Sequence, residues 1–342
     1  MPLPLRKLTA AAETAAPDER IPVLDVADYL SGAPGACEKL GTQLRYACEE
    51  IGFYFLAGHG VSSALVERAF TENARFHALP LERKLAVKIN GDVVGYLPLE
   101  GGLSRSMAIT GISRPNANES FFVRNEAPPD SPQRLAGERY HGANQWPADL
   151  PGFREAVLDY FSALSDLAHR MLPVYAVALG VRPDYFEATF ARDRSTLRLA
   201  HYPPAEVRTD QFGSAPHTDG GFMTLLAQAT VPGLEVYTRS EKWIEAPVVE
   251  GAFLVNSGDL LARWTNDRFL STPHRVINKS PTDRYSIPFF FNPALDTMIS
   301  TIETCCGPDN PARYEPTSYL DYYRQTKFQY ASKDPDDTGP RT

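Results

Sequence analysis

Cysteine is scarce, with four thiols in 342 residues: Cys37, Cys48, Cys305 and Cys306. Their spacing matches no zinc pattern, and adjacent Cys305 and Cys306 are poor partners for each other, so neither a structural zinc site nor a disulfide framework is expected. Reduced thiols suit a cytoplasmic protein. No apolar run approaches the length needed to span a bilayer. The first twenty residues, MPLPLRKLTAAAETAAPDER, contain no continuous apolar stretch of the secretory-signal kind; they are Ala-rich and read as a flexible start, 1–20. An excess of basic charge is also missing. Lys and Arg number 34 against 42 Asp and Glu, a net charge of −8 that disfavours nucleic acid and anionic membranes and leaves a small molecule as the expected partner. There are no internal repeats. Histidine is limited to seven residues, which narrows any search for metal ligands.

The remaining composition is ordinary for a folded chain: 43% hydrophobic and 22% charged residues, with length enough for one large catalytic domain and its core. The 29 prolines favour a loop- and strand-rich protein over a helical bundle. A monomer and a small homo-oligomer fit equally well. In the first half, IPVLDV (21–26) reads as a short strand, 36–50 as a helix, IGFYFLA (51–57) as a buried strand closed by Gly58-His59-Gly60, and 62–78 and 152–180 as helices. Segment 80–150 has little periodicity and suits an active-site lining. From about Ser195 the texture changes to short β-rich runs (LRLAHY, FMTLLAQA, LEVYTR, AFLVN, YSIPFFF) separated by turn residues. That alternation of strands and turns predicts a sandwich, jelly roll or barrel, and with the leading helices an α+β fold.

His217-Thr218-Asp219 is the sharpest local signal. On an extended backbone residues two apart share a face, so an imidazole and a carboxylate point at one place. A second imidazole from a distant segment would complete a facial triad for Fe(II), with positions left open for other ligands. His274, in STPHRVIN, is the candidate; His59, His77, His141 and His169 precede the β-rich half, and His201 faces away from Arg198, Ala200 and Tyr202. Alone, a His-x-Asp also fits a surface turn with a capping aspartate. Ten residues past His274, Arg284 and Ser286 share a strand face, offering a planar fork and a hydroxyl to a carboxylate; a structural salt bridge is the other reading of Arg284.

Together these residues resemble the isopenicillin N synthase-like family of Fe(II)/2-oxoglutarate oxygenases. The family pattern is His-x-Asp, about 55 residues, His, then Arg-x-Ser ten residues later. LRLAHYPP, PHTDGGFMTLLAQ, GLEVY, the run from WIEAPVVEG to STPHRV, and RYSIPFFFNP follow in the family's order, while IPVLDV, EIGFYFLAGHGV, GYLP, ESFFV and NQWP resemble its leading region. The likeness spans roughly residues 20–325. It implies a double-stranded β-helix (jelly-roll) core with packed N-terminal helices. The organisation expected is an N-terminal helical/β region (21–150), scaffold helices (151–190), the dioxygenase jelly-roll core (195–300) and a C-terminal helix and tail (301–342).

The resemblance further implies Fe(II) on His217, Asp219 and His274, which would be the catalytic and metal-binding residues. It implies 2-oxoglutarate bound through Arg284, Ser286 and Tyr202, O₂ as oxidant and ascorbate as accessory reductant. The chemistry implied is oxidation of a small organic molecule with release of succinate and CO₂. Family members often carry Asn where this chain has Ala200, which puts the cosubstrate pose in doubt. Arg198, on the same strand face as Ala200 and Tyr202, is expected either to meet an anionic substrate or to form a rim salt bridge. Phe290 shares a face with Arg284 and Ser286 and is expected on the substrate wall, with Phe289 and Phe291 in the core. Tyr96, Phe121 and the tyrosines at 319, 322 and 323 are candidates to cover the entrance. Two other readings stay open: an oxidase of the isopenicillin N synthase or ethylene-forming type that does not consume 2-oxoglutarate, and a non-catalytic ligand-binding protein.

Overall fold

The computed structural model describes residues 12–16, 19–99, 115–204, 212–228, 230–278 and 280–325. Most of the expected flexible start and the tail beyond 325 lie outside the described residues. In chain order the strands of the two main sheets are β1 (Val23–Asp25), β2 (Phe53–Ala57), β3 (Gly95–Leu97), β4 (Glu119–Arg124), β5 (Thr196–Tyr202), β6 (Ser214–His217), β7 (Met223–Gln228), β8 (Leu234–Tyr237), β9 (Trp243–Glu245), β10 (Phe253–Ser257), β11 (His274–Val276) and β12 (Arg284–Phe291). They form an eight-stranded sheet in the order β1-β2-β10-β7-β12-β5-β4-β3 and a four-stranded sheet in the order β6-β11-β8-β9. This is the α+β, jelly-roll arrangement anticipated from the sequence.

Helices Ala36–Glu50 and Ser63–His77 pack on the long helix Phe153–Leu179. That helix is built on the three- and four-residue spacing of Val157, Tyr160, Leu164, Leu167 and Met171, all buried. It ends at Gly180, whose φ of 73° is the left-handed geometry that closes a helix and that only glycine adopts cheaply. Among the described residues no helix is long and apolar enough to cross a membrane.

Strand alternation divides the buried residues between two cores. Leu197 and Leu199 of β5, Leu225 and Ala227 of β7, and Ile287, Phe289 and Phe291 of β12 face the helices. Ala200 and Tyr202 of β5 and Leu226 of β7 face the other way, into the space between the sheets, with Leu234, Val236 and Val276 of the smaller sheet. Burying a large apolar side chain is worth about 1.5–3 kcal/mol, so each strand is held in one phase. A one-residue slip would expose its core set and bury its polar one. The inter-sheet face is where the chemistry lies.

Candidate metal centre

His217 and His274 are directly opposite each other across the antiparallel pair β6–β11. Cross-strand partners share a face, and their rings lie 4.3 Å apart. Each imidazole is aimed through its other nitrogen. The Nδ1–H of His217 donates to the Ala215 carbonyl at 2.8 Å, and that of His274 to the Thr272 carbonyl at 3.2 Å. Both Nε2 lone pairs are thereby left for a metal.

Asp219 reaches the same point by a different route from the one expected. Strand β6 stops at His217, so simple alternation does not carry the carboxylate into place. Asp219 lies in the following turn, and the larger sheet holds its side chain. Thr224 Oγ1 donates to Asp219 Oδ2 at 2.6 Å and Asn256 Nδ2 to the same oxygen at 2.8 Å. Thr224 and Asn256 are themselves register partners between β7 and β10. Oδ1 is left 3.9 Å from His217 Nε2 and 3.7 Å from His274 Nε2. The three donor atoms lie within 4.8 Å of one another.

The backbone around this turn is equally constrained. Gly258 N–H donates to Phe222 O at 3.2 Å and Asp259 N–H to Asp219 O at 2.7 Å. A Cβ on Gly258 would sit 2.7 Å from the Asp219 carbonyl oxygen and still nearer that of Gly221. Thr218 Oγ1 adds a bond to Asp259 Oδ2 at 3.1 Å. Sequence reasoning passed over Thr224, Asn256, Gly258 and Asp259. The one available signal was the polar Asn256 in the apolar run AFLVNSGD.

The protonation states suit metal binding. Burial, and then the neighbouring His274 imidazole, push His217 down to about 4, so it is neutral near pH 7. For Asp219 burial opposes ionisation, but the two imidazoles and the two hydrogen-bond donors outweigh it and hold the carboxyl below its usual range. Two imidazole nitrogens and one carboxylate oxygen, with no thiolate among the described residues, form the donor set of a non-haem Fe(II) site.

On β12, Arg284 is opposite Tyr202 of β5, and Ser286 is opposite Ala200. Arg284 is buried at 1% exposure, its guanidinium carbon 4.8 Å from the Tyr202 ring centre. Its Nε and Nη1 have no hydrogen-bond partner, and no carboxylate among the described residues pairs with it. Burial pulls its pKa down, with the Tyr202 hydroxyl opposing the shift. A buried, unmatched guanidinium is costly, and the structural salt bridge that the sequence left open is not made among the described residues. The fork fits an incoming carboxylate.

The remaining expected residues divide. Phe290 is opposite Thr224 on β7 and Thr196 on β5, on the inter-sheet face with Arg284 and Ser286. Arg198 shares that face. It donates to Ser120 Oγ at 2.8 Å and Asn118 Oδ1 at 2.7 Å, and it meets no carboxylate among the described residues. Its charge adds to the depression of the His217 pKa, which places it in the field of the metal centre.

Tyr96 and Phe121 are corrections. Both are fully buried on the helix side, Phe121 against Phe76 and Phe153, and Tyr96 against Phe76 with its hydroxyl on Glu119. They are opposite each other across β3–β4. The residue of ESFFV that turns inward is Phe122, which lies under Arg198 at 5.6 Å. Tyr319 and Tyr322 are likewise buried in the helix-side core.

Comparison with known proteins agrees with this geometry. The profile of the 2OG-Fe(II) oxygenase superfamily matches residues 194–293, and that of the non-haem dioxygenase in morphine synthesis N-terminal region matches residues 21–149. The 2-oxoglutarate-Fe(II) type oxidoreductase hxnY of Emericella nidulans is 36% identical over 312 residues, 89% of this chain and 88% of its own. The 2-oxoglutarate-dependent dioxygenase citB of Monascus ruber is 36% identical over 295 residues, 83% of this chain and 88% of its own. Among solved structures, a full-length Neurospora crassa protein in complex with alpha-KG and thymine matches with a TM-score of 0.79 at 28% identity, over 91% of this chain and 97% of that one.

Proposed function

The chain belongs to the 2OG-Fe(II) oxygenase superfamily and is an Fe(II)- and 2-oxoglutarate-dependent oxidoreductase, and from that premise we propose which side chains carry each role. His217 Nε2, His274 Nε2 and Asp219 Oδ1 hold the iron. Arg284 receives the distal carboxylate of 2-oxoglutarate through its unpartnered Nε and Nη1, with Ser286 and Tyr202 beside it. Phe290 and Arg198 line the space for a small organic substrate. Held by these residues, iron and 2-oxoglutarate would supply the activation of O₂ for oxidation of the substrate, with succinate and CO₂ as coproducts.

The protein's own part is placement. The Ala215 and Thr272 carbonyls fix the tautomer and tilt of the imidazoles, and Thr224 and Asn256 occupy Oδ2 so that Oδ1 alone faces the metal. The buried fork of Arg284 would orient the cosubstrate by pairing with its distal carboxylate. The single observation that carries this assignment is a fully buried arginine with unpartnered Nε and Nη1 atoms, facing the same inter-sheet space as a His/Asp/His cluster.

The test is to measure succinate formed per substrate oxidised, together with the KM for 2-oxoglutarate, in Arg284→Met and Asp219→Ala. The expected result is one succinate per oxidation, a raised KM in the first variant and no turnover in the second. Substrate oxidation without succinate would instead favour the oxidase that spares 2-oxoglutarate.

A further inference from the structure

At one end of the barrel two more arginines carry buried N–H groups with no hydrogen-bond partner among the described residues. Arg124, the last residue of β4, is opposite Thr196, which is opposite Phe290, which is opposite Thr224. Thr224 holds the metal-ligating carboxylate. These four side chains occupy one face at one level, so Arg124 stands three strands along the same sheet from the residue that holds the metal-ligating carboxylate. It is buried at 8% exposure, its Nε has no hydrogen-bond partner, and its Nη2 touches only the Tyr323 hydroxyl at 3.4 Å. Arg194, just before β5, has unpartnered Nε and Nη2 atoms, also buried.

The two guanidiniums feel each other. Burial and then the charge of Arg124 bring Arg194 down to about 9. Like charges this close are unfavourable unless an anion sits between them. Arg194, Arg139, Arg324 and Tyr140 line a cavity of about 1040 Å³. Tyr140 is a bulky residue at φ 74°, held by its N–H to Asp92 Oδ1 at 2.6 Å, with its ring 5.8 Å from Arg124 and 5.1 Å from Arg139. A left-handed backbone at such a residue persists only where its surroundings impose it, and such positions cluster at ligand sites.

The carboxylates near this wall have other partners: Glu126 has Asn144 N and Arg134, Asp193 has Ser195 and His169, and Asp296 has Arg192, while Asp92, whose charge reaches Arg194, accepts from the Tyr140 N–H and is bonded to neither guanidinium among the described residues. Glu138 is exposed on the rim.

We infer that Arg124 and Arg194 form an anion subsite at the mouth of the barrel, which takes a carboxylate of the substrate while its reactive carbon faces the metal. The planar forks of two arginines match a carboxylate better than a neutral amide. The subsite is separate from Arg284, which lies at the opposite end of β12 from Phe290. This inference rests on the oxygenase reading for the orientation of the substrate, but not for the existence of the subsite.

The test is binding, without turnover. The full chain, loaded with Fe(II) and 2-oxoglutarate under anaerobic conditions, is titrated calorimetrically with matched probes: phenylacetate against phenylacetamide, and hexanoate against hexanamide. Charge-assisted hydrogen bonds of this kind predict that each acid binds about tenfold more tightly than its amide. The gap closes in Arg124→Gln/Arg194→Gln and survives in part in Arg124→Lys/Arg194→Lys. Failure of every acid to outbind its amide overturns the inference, and so does a gap that the glutamine pair retains or that Arg198→Gln alone abolishes. The visible absorption of the Fe(II)–2-oxoglutarate complex, read in the same variants, is expected to persist. Its absence from the unsubstituted protein would count against the oxygenase site and leave the acid preference to be judged separately.

Discussion

Arg275 and Arg284 stand close together in the chain, on successive strands, are both fully buried, and live in opposite circumstances. Arg275 is opposite Glu235 in the β11–β8 register; its Nε bonds the Glu235 carboxylate at 2.6 Å, and its guanidinium lies 4.1 Å from the Trp243 ring centre. Arg284 is opposite Tyr202 and finds no carboxylate among the described residues. The first charge is neutralised by the fold and serves it. The second is a standing deficit that only a ligand offsets. Burial alone therefore says little about the purpose of a charged residue; what sits across the strand pair decides it.

The largest effect expected is at the metal. Asp219→Ala should take O₂ consumption and succinate formation to background while the melting temperature stays close to that of the parent; a variant that still turns over would break the distinction at its strongest point. Glu235→Ala tests the other side. It leaves Arg275 buried without its partner, which should cost about 3–5 kcal/mol of stability, read by chemical denaturation, while activity per folded molecule is kept.

Arg284→Met should do the reverse of Glu235→Ala. Stability is unchanged or higher, because an unmatched charge is removed, while the KM for 2-oxoglutarate rises about 10–100-fold, as expected for lost hydrogen bonds to a charged group. Asn256→Ala removes one of two donors to Asp219 Oδ2 and should weaken Fe(II) affinity about tenfold, measured by competition with a chelator, with the Thr224 bond retaining the rest.

The smallest effect belongs to His201, on the helix side of β5, between Glu119 Oε1 at 2.8 Å and Asp283 Oδ1 at 2.7 Å. Burial lowers its pKa, but the two carboxylates outweigh burial and the net shift is upward. A group raised in the folded state contributes stability that is fully present below its unfolded pKa, about 6.5, and is lost as pH rises through the folded value. The melting-temperature gap between the parent and His201→Asn should narrow as pH rises from below about 6.5 through the raised folded value. A constant gap would place His201 with neutral packing residues.

Much of the fold was legible because alternation and helical spacing are written in consecutive residues. The helices at 36–50 and 152–180 and the strands LRLAHY and YSIPFFF stand where periodicity put them, and the alternation of Arg198, Ala200 and Tyr202 against His201 is the one observed. The phase of ESFFV was not legible. Four apolar or small residues in a row look alike from either side, and only pairing with β5 turns Phe122 inward and Phe121 toward the helices. Tyr96 was misplaced for the same reason, since its orientation follows that of Phe121 across β3–β4.

The sequence by itself determined the chemistry available: two imidazoles, a carboxylate and an arginine fork in an order and spacing that suit iron and a keto acid, on strands whose alternation is a property of each backbone. Tertiary structure alone decided that His217 and His274 are opposite each other, that Asp219 is turned by donors from the other sheet, and that Arg275 has a carboxylate across from it while Arg284, Arg124 and Arg194 bond none among the described residues. Those facts depend on register between segments far apart in the chain, and no local pattern encodes which residue will sit opposite another.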